Sequence, residues 1–112
     1  MNEDRNAERR KHRRFAVDVP ARIAVGKEAF VARLRDVCRD AALVEANKWF
    51  PLQTAVTVAM ELPGTGGPLQ VAGKVIRLAP GDQGSHGMAI LFDEVSQAAS
   101  DRIDFFIAQQ EG

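Results

Sequence analysis

The sequence predicts a mainly β protein, a six-stranded antiparallel β-barrel with one C-terminal α-helix. Three observations lead to this fold class. Six short segments alternate apolar and polar residues with a period of two, which is typical of strands with one buried face. Short connections rich in glycine and proline separate several of them, and the last segment changes to the helical period. Closure into a barrel is the usual way in which so many short strands avoid open edges.

The first two strands are predicted to form a hairpin. The apolar stripe of the first strand is Phe15, Val17, Val19, Ala21, Ile23 and Val25. Gly26 and Lys27 then supply a tight turn. The residues of the second strand expected to face the core are Phe30, Ala32 and Leu34. Arg33 and Arg35 should therefore face the opposite side.

Four further strands follow in order. The third is "AALVEA", the fourth "VTVAMEL", the fifth "LQVAGKVIRL" and the sixth "MAILF". Pro51 marks a break before the fourth strand, and "PGTGGP" turns the chain before the fifth. Gly73 lies inside the fifth strand and predicts a bulge there. Trp49 and Phe50 are expected to cover one end of the core.

The C-terminal segment has the period of an amphipathic helix. Its apolar residues recur at helical spacing: Ala99, Ile103, Phe106 and Ile107. Ser96 is of the residue type preferred at a helix N-cap. We therefore expect a helix that starts after Ser96 and packs its apolar stripe on the barrel.

Length and composition set the domain organisation. The 112 residues suffice for one hydrophobic core, so we expect one barrel domain over residues 15–112. Residues 1–14 lack periodicity and should form a mobile basic arm. No apolar run approaches the roughly 20 residues of a membrane span, and the first residues do not resemble a secretory signal. The cytoplasm is therefore the expected location.

Few residues have a spacing that suggests catalysis or metal binding. Cys38 is the only cysteine and cannot form an internal disulfide, and His12 and His86 are too far apart to suggest a zinc site. "GTGG" lacks the lysine and hydroxyl residue of a phosphate-binding loop, so it is interpreted as a hairpin turn. The closely spaced carboxylate pairs, Asp36 with Asp40 and Asp101 with Asp104, are typical of a solvated surface. The sequence thus predicts no enzyme, no catalytic residues, no metal and no cofactor.

Charge is distributed unevenly although the net charge is zero. Residues 1–14 hold six basic and three acidic side chains, and the remaining residues hold nine basic and twelve acidic ones. Arg10 and Arg14 are four residues apart, directly before the first strand. Arginine pairs can bind a phosphate bidentately, stack on a purine or donate to guanine O6 and N7. On charge alone, a basic tail that aids solubility or binds nucleic acid loosely stays an alternative.

The arginine run "RRKHRR" and the later "DVCRDAALVE" together resemble the PilZ domain family. That family has two signatures, RxxxR before the barrel and (D/N)xSxxG on it. Arg10 and Arg14 match the first signature, with Arg9 ahead of them. Asp36, Cys38 and Ala41 occupy the D, S and G positions of the second. The resemblance extends over the barrel pattern and the terminal helix.

The resemblance implies a split-barrel type of fold and a receptor for the bacterial second messenger cyclic di-GMP. In such a receptor Arg9, Arg10 and Arg14 would bind phosphates and guanine, and Asp36 would accept from a guanine edge. Cys38 and Ala41 would line the site. An arginine ahead of RxxxR implies that two ligand molecules can bind. Ligand binding would order the arm and signal to an unidentified protein partner.

The second signature departs from the family pattern at two positions. Cys38 replaces a hydroxyl with a thiol, which is a weaker hydrogen-bonding group. Ala41 replaces a glycine, and a methyl group would cost free energy if that position requires a positive φ. An alternative hypothesis is therefore a PilZ-like protein-interaction module that has lost or weakened ligand binding and acts in motility or polarity. A nucleic-acid-binding arm is the least favoured of the three hypotheses.

Overall fold

A computed structural model describes residues 15–111 of the chain as a closed barrel followed by one helix. The strands are β1 (Phe15–Val25), β2 (Glu28–Val37), β3 (Ala41–Ala46), β4 (Ala55–Met60), β5 (Leu69–Pro80) and β6 (His86–Phe92). A short 3-10 turn, Asp82–Gly84, precedes β6, and the helix α1 is Gln97–Glu111. The order around the barrel is β1-β2-β3-β6-β5-β4, and every neighbouring pair is antiparallel. The predicted fold class is confirmed.

The first hairpin forms as its sequence pattern predicts. Gly26 adopts a φ of +61°, a left-handed conformation that glycine takes without steric cost, and Val25 pairs with Glu28. The side chains of Ala21 and Ile23 in β1 are buried. Strict alternation thus places one apolar face of the hairpin in the core.

A β-bulge interrupts this alternation near the end of β2. Leu34 pairs with Val44 of β3, but the next paired residue, Asp36, lies opposite Leu43, so Arg35 is an extra residue in the strand. Strict alternation after the buried Leu34 would point Asp36 into the barrel. The extra residue shifts the alternation by one, so that Asp36 shares the outer face with Leu43 while Val37 is buried.

The bulge predicted at Gly73 is wrong in position. Gly73 pairs in continuous register with Val56 on β4 and Phe92 on β6, and the irregularity of β5 lies between Val75 and Arg77. A Cβ atom at Gly73 would lie 2.5 Å from the backbone oxygen of Leu91 and 2.9 Å from Cγ2 of Ile90. β6 therefore lies so close to β5 at this position that a residue with a Cβ atom does not fit.

The helix completes the hydrophobic core. The backbone N–H of Ala99 donates to Oγ of Ser96 at 3.1 Å, which confirms the predicted N-cap. Ala99, Ile103 and Phe106 are buried in the same apolar cluster as the strands, and Ile107 packs partly against it. The predicted apolar stripe therefore faces the barrel.

One of the two aromatic residues before β4 departs from its expected role. Phe50 is buried and its ring centroid lies 5.4 Å from that of Phe30. Trp49 is 50% exposed, so the expectation that it covers the core is wrong. Of the two, Phe50 alone packs in the core.

Among the residues that the structure describes, no helix is both long enough and apolar enough to cross a bilayer.

Replacement of Gly73 by alanine should destabilise the barrel by about 3 kcal/mol, because the new methyl group meets backbone atoms that cannot rotate away. Gly26→Ala is the matched control. Its methyl group meets no atom within 4 Å, so it should cost only about 1 kcal/mol for the left-handed φ. Urea unfolding followed by circular dichroism measures both, and equal losses would contradict the steric explanation.

Candidate functional site

The turn between β2 and β3 carries the second sequence signature and is tied to the neighbouring strand. The backbone N–H of Cys38 donates to the carbonyl of Ala41 at 2.9 Å, which closes the turn. The backbone N–H of Phe92, at the end of β6, donates to the carbonyl of Asp40 at 2.9 Å. Backbone hydrogen bonds on both sides therefore hold the turn in one conformation.

Asp36 has an unusual environment for an aspartate. Its atom Oδ1 is buried and has no hydrogen-bond partner among residues 15–111. Leaving a buried polar atom without a partner costs about 1–3 kcal/mol, more for a charged group. A donor group that reached this oxygen would supply the missing hydrogen bond.

The side chain of Cys38 is hydrogen-bonded within the turn between β2 and β3. The side chain is 3% exposed, and its thiol donates to Oδ1 of Asp40 at 3.0 Å. Burial raises the pKa of the Cys38 thiol to about 11, and the hydrogen bond to Asp40 acts in the same direction. The thiol is therefore protonated at neutral pH, and its one proton is donated to Asp40.

Ala41 begins β3 in an extended conformation. Among residues 15–111, the non-glycine residues with positive φ are Gln53 and Gln83, so Ala41 is not left-handed. It pairs with Leu91 of β6 and lies on the outer face of the strand, because Ala42 is buried inside. Alanine therefore bears no cost for a positive φ at this position. Its methyl group instead adds apolar surface to the outside of the strand.

Three of the expected site residues, Arg9, Arg10 and Arg14, lie outside the described residues. The segment that carries them joins the barrel at Phe15, which pairs with Val37. The point of attachment is therefore one residue from Asp36 along β2.

An apolar outer surface adjoins Asp36, and the sequence did not reveal it. Leu43 pairs with both Asp36 and Ala89, and Ala41 pairs with Leu91, so these side chains share the outside of β2, β3 and β6. We call Ala41, Leu43, Ala89 and Leu91 the outer floor. The period-two pattern places each residue on a face, but it does not show that β6 is the neighbour of β3.

A network of ion pairs lies on the outside of β1, β2 and β3. Nε of Arg33 lies 2.6 Å from Oδ1 of Asp18, and this hydrogen bond lowers the pKa of the Asp18 carboxyl. Arg35, the bulge residue, lies 3.5 Å from Asp18, 3.7 Å from Glu45 and 3.4 Å from Asp82. Both arginines are thus already paired with carboxylates.

The turn also contacts the helix. Nε of Arg39 lies 3.3 Å from Oδ2 of Asp104 on α1. In the described part of the chain, no group of three or more histidine, cysteine, aspartate or glutamate side chains could hold a metal ion.

A family model described as "PilZ domain" matches residues 8–109. No curated protein matches the sequence. Solved structures share the fold: MotI/DgrA, an inhibitor of motility from Bacillus subtilis, has a TM-score of 0.74 at 15% identity over 92% of this chain and 52% of that one. The chain thus spans about half of that protein.

Two further solved structures are similar in fold. The PilZ domain of YcgR from Escherichia coli, solved with c-di-GMP, has a TM-score of 0.73 at 12% identity over 92% of each chain. PlzA from Borreliella burgdorferi, in complex with c-di-GMP, has a TM-score of 0.68 at 15% identity and covers 95% of this chain and 44% of that one. At these identities the similarity concerns the fold.

The thiol of Cys38 should react slowly with iodoacetamide at pH 8, because the thiolate is the reactive form and the pKa is about 11. Labelling followed by mass spectrometry should show the rate rising up to about pH 11. The chain unfolded in urea, with an ordinary thiol, is the control. The raised pKa also means that the free energy of unfolding falls between about pH 9 and 11, an effect that Cys38→Ala should remove. Rapid labelling of the folded protein at pH 8 would contradict the assignment.

Proposed function

This chain belongs to the PilZ domain family, and on that basis we propose that it is a receptor and adaptor domain for cyclic di-GMP. PilZ domains bind ligands and transmit signals, and they are not enzymes. The two relatives solved with c-di-GMP support this choice of ligand. We further propose that the domain works in the cytoplasm and contacts a protein partner.

The buried carboxylate oxygen of Asp36 is the observation that carries the proposal. Its Oδ1 has no hydrogen-bond partner among residues 15–111, and the outer floor lies directly beside it. The Watson–Crick edge of guanine offers two N–H donors side by side, which a carboxylate accepts well. A guanine edge at Asp36 would supply the missing partner while its ring rests on apolar side chains.

The arginines supply the charge that the ligand requires. Cyclic di-GMP carries two negative charges, and Arg33, Arg35 and Arg39 each lie within 4 Å of a carboxylate. Arg10 and Arg14, with Arg9 ahead of them, would therefore bind the phosphates and guanine, and Arg9 would allow a second ligand molecule. The arm over residues 1–14 would become ordered against the barrel over residues 15–112. That change in surface would be the signal to the partner.

Cys38 and Ala41 would line this site with different roles. The thiol proton of Cys38 is donated to Asp40, so Cys38 would contribute shape rather than a hydrogen bond to the ligand. Ala41 would extend the outer floor with its methyl group. Binding would then depend mainly on Asp36 and the arginines.

The engaged thiol favours a second candidate function. If the position of Cys38 must donate to the ligand, this chain would bind weakly and act as a protein-interaction module, in motility or polarity control. Titration with cyclic di-GMP separates the two functions. A nucleic-acid-binding arm would instead bind single-stranded oligonucleotides, with an affinity that falls steeply as salt rises.

Arg10→Ala should weaken binding of cyclic di-GMP by about tenfold to a hundredfold, because a charge-assisted hydrogen bond contributes about 1.5–3 kcal/mol. Isothermal titration at physiological salt measures the affinity and the stoichiometry, with GTP and an oligonucleotide as competitor controls. Lys11→Ala is the matched control, since it removes the same charge from the same segment at a variable position of the RxxxR signature. Equal losses in both variants would indicate nonspecific attraction and contradict the site. No heat from the unmodified protein would favour the interaction module.

Asp36→Ala should abolish most ligand binding without destabilising the free protein. Removing a buried oxygen that has no partner in the barrel removes a desolvation cost, so the free energy of unfolding should stay equal or rise by about 1 kcal/mol. Asp18→Ala is the control, because that exposed carboxylate pairs with Arg33 and lies outside the proposed site. Urea unfolding and ligand titration of both variants measure the two quantities. A loss of stability in Asp36→Ala would show that the carboxylate already has a partner.

A further inference from the structure

A single row of paired residues crosses the outer face of the barrel from Asp36 to Arg77. Asp36 pairs with Leu43, Leu43 with Ala89, and Ala89 with Arg77. Directly paired residues in a sheet point to the same side. The buried neighbours Val44 and Ile90 confirm that this side is the outside. Arg77 therefore stands at the opposite end of the row from Asp36.

The bulge in β5 is what places Arg77 in this row. Val75 is buried and pairs with Ile90, but the next paired residue is Arg77, opposite Ala89, so Ile76 is the extra residue. Without the extra residue, the position two after Val75 would face the core. Bulges in β2 and β5 thus turn one acidic and one basic side chain onto the same outer surface.

The spacing between the two charged residues suits a two-base ligand. Three strand separations lie between them, about 14 Å along the surface, and the long arginine side chain can cover part of that distance. Leu43 and Ala89, which lie between, are apolar and present no competing charge. A cyclic dinucleotide has its two bases on opposite sides of the phosphate ring. One base at Asp36 would leave the other near Arg77.

Arg77 is exposed, and no carboxylate among the described side chains of residues 15–110 lies within 4 Å of its guanidinium. Arg33, Arg35 and Arg39 each have such a carboxylate. Guanidinium groups recognise guanine through a bidentate pair of hydrogen bonds to O6 and N7. Adenine offers N7 but has a donor in place of O6, so it can accept only one of the two.

We propose that Arg77 is a specificity-determining contact that donates to O6 and N7 of the second guanine, the one that does not contact Asp36. This inference rests on the proposed function and adds a base-reading residue on β5, outside both sequence signatures. Recognition of both bases would then come from opposite edges of one barrel face, with Asp36 accepting from one guanine and Arg77 donating to the other.

The test compares cyclic di-GMP with the mixed cyclic dinucleotide that contains one guanine and one adenine. The mixed ligand can satisfy Asp36 with its guanine but must place adenine at Arg77. Titration of the full chain should show about a tenfold or greater preference for cyclic di-GMP. Arg77→Ala should weaken cyclic di-GMP binding by about tenfold to a hundredfold and reduce the preference to about twofold, the statistical advantage of two guanines.

Arg22→Ala is the matched control, because Arg22 is an exposed arginine on β1 whose cross-strand partners are Val31 and Ala59, away from this row. It should change neither affinity by more than about twofold, and thermal unfolding should be similar for both variants because both side chains are exposed. Equal weakening of both ligands by Arg77→Ala, or no weakening, would overturn the role of Arg77 alone. Failure of the unmodified protein to bind either ligand would overturn the receptor function together with it.

Discussion

The outward direction of Asp36 depends on one extra residue in β2. Alternation along a strand is strict, so the buried Leu34 would make Asp36 an inward carboxylate in a barrel without the bulge at Arg35. Such a burial would cost several kcal/mol. The bulge instead places Val37 in the core and Asp36 beside Leu43 on the outer floor. The other proposed ligand contacts, including Arg77, can share a surface with Asp36 only because Asp36 points outward.

The site combines a rigid frame with an unsatisfied group. Backbone hydrogen bonds from Cys38 to Ala41 and from Phe92 to Asp40 hold the turn that follows Asp36. A buried oxygen without a partner among residues 15–111 lowers stability, and a ligand that donates to it recovers that free energy. Stability lost in the free protein can thus contribute to affinity in the complex.

The two departures from the family signature have different physical consequences. A thiol at position 38 is compatible with a buried turn because it can donate to Asp40, and burial keeps it protonated. An alanine at position 41 is compatible with the extended backbone of β3 and adds apolar surface next to Leu91. Neither residue distorts the barrel. If the receptor function holds, ligand affinity must come from Asp36, the arginines and the outer floor.

The sequence by itself determined the number of strands, the N-cap at Ser96, the turn at Gly26 and the two signatures, because these depend on periodicity and on residues close together in the chain. Only the tertiary structure decided which strands are neighbours. Pairing of β3 with β6 and of β6 with β5 depends on barrel closure, which no local pattern encodes. The bulges at Arg35 and Ile76, the close approach at Gly73 and the row from Asp36 to Arg77 all follow from that pairing, since each is a relation between strands.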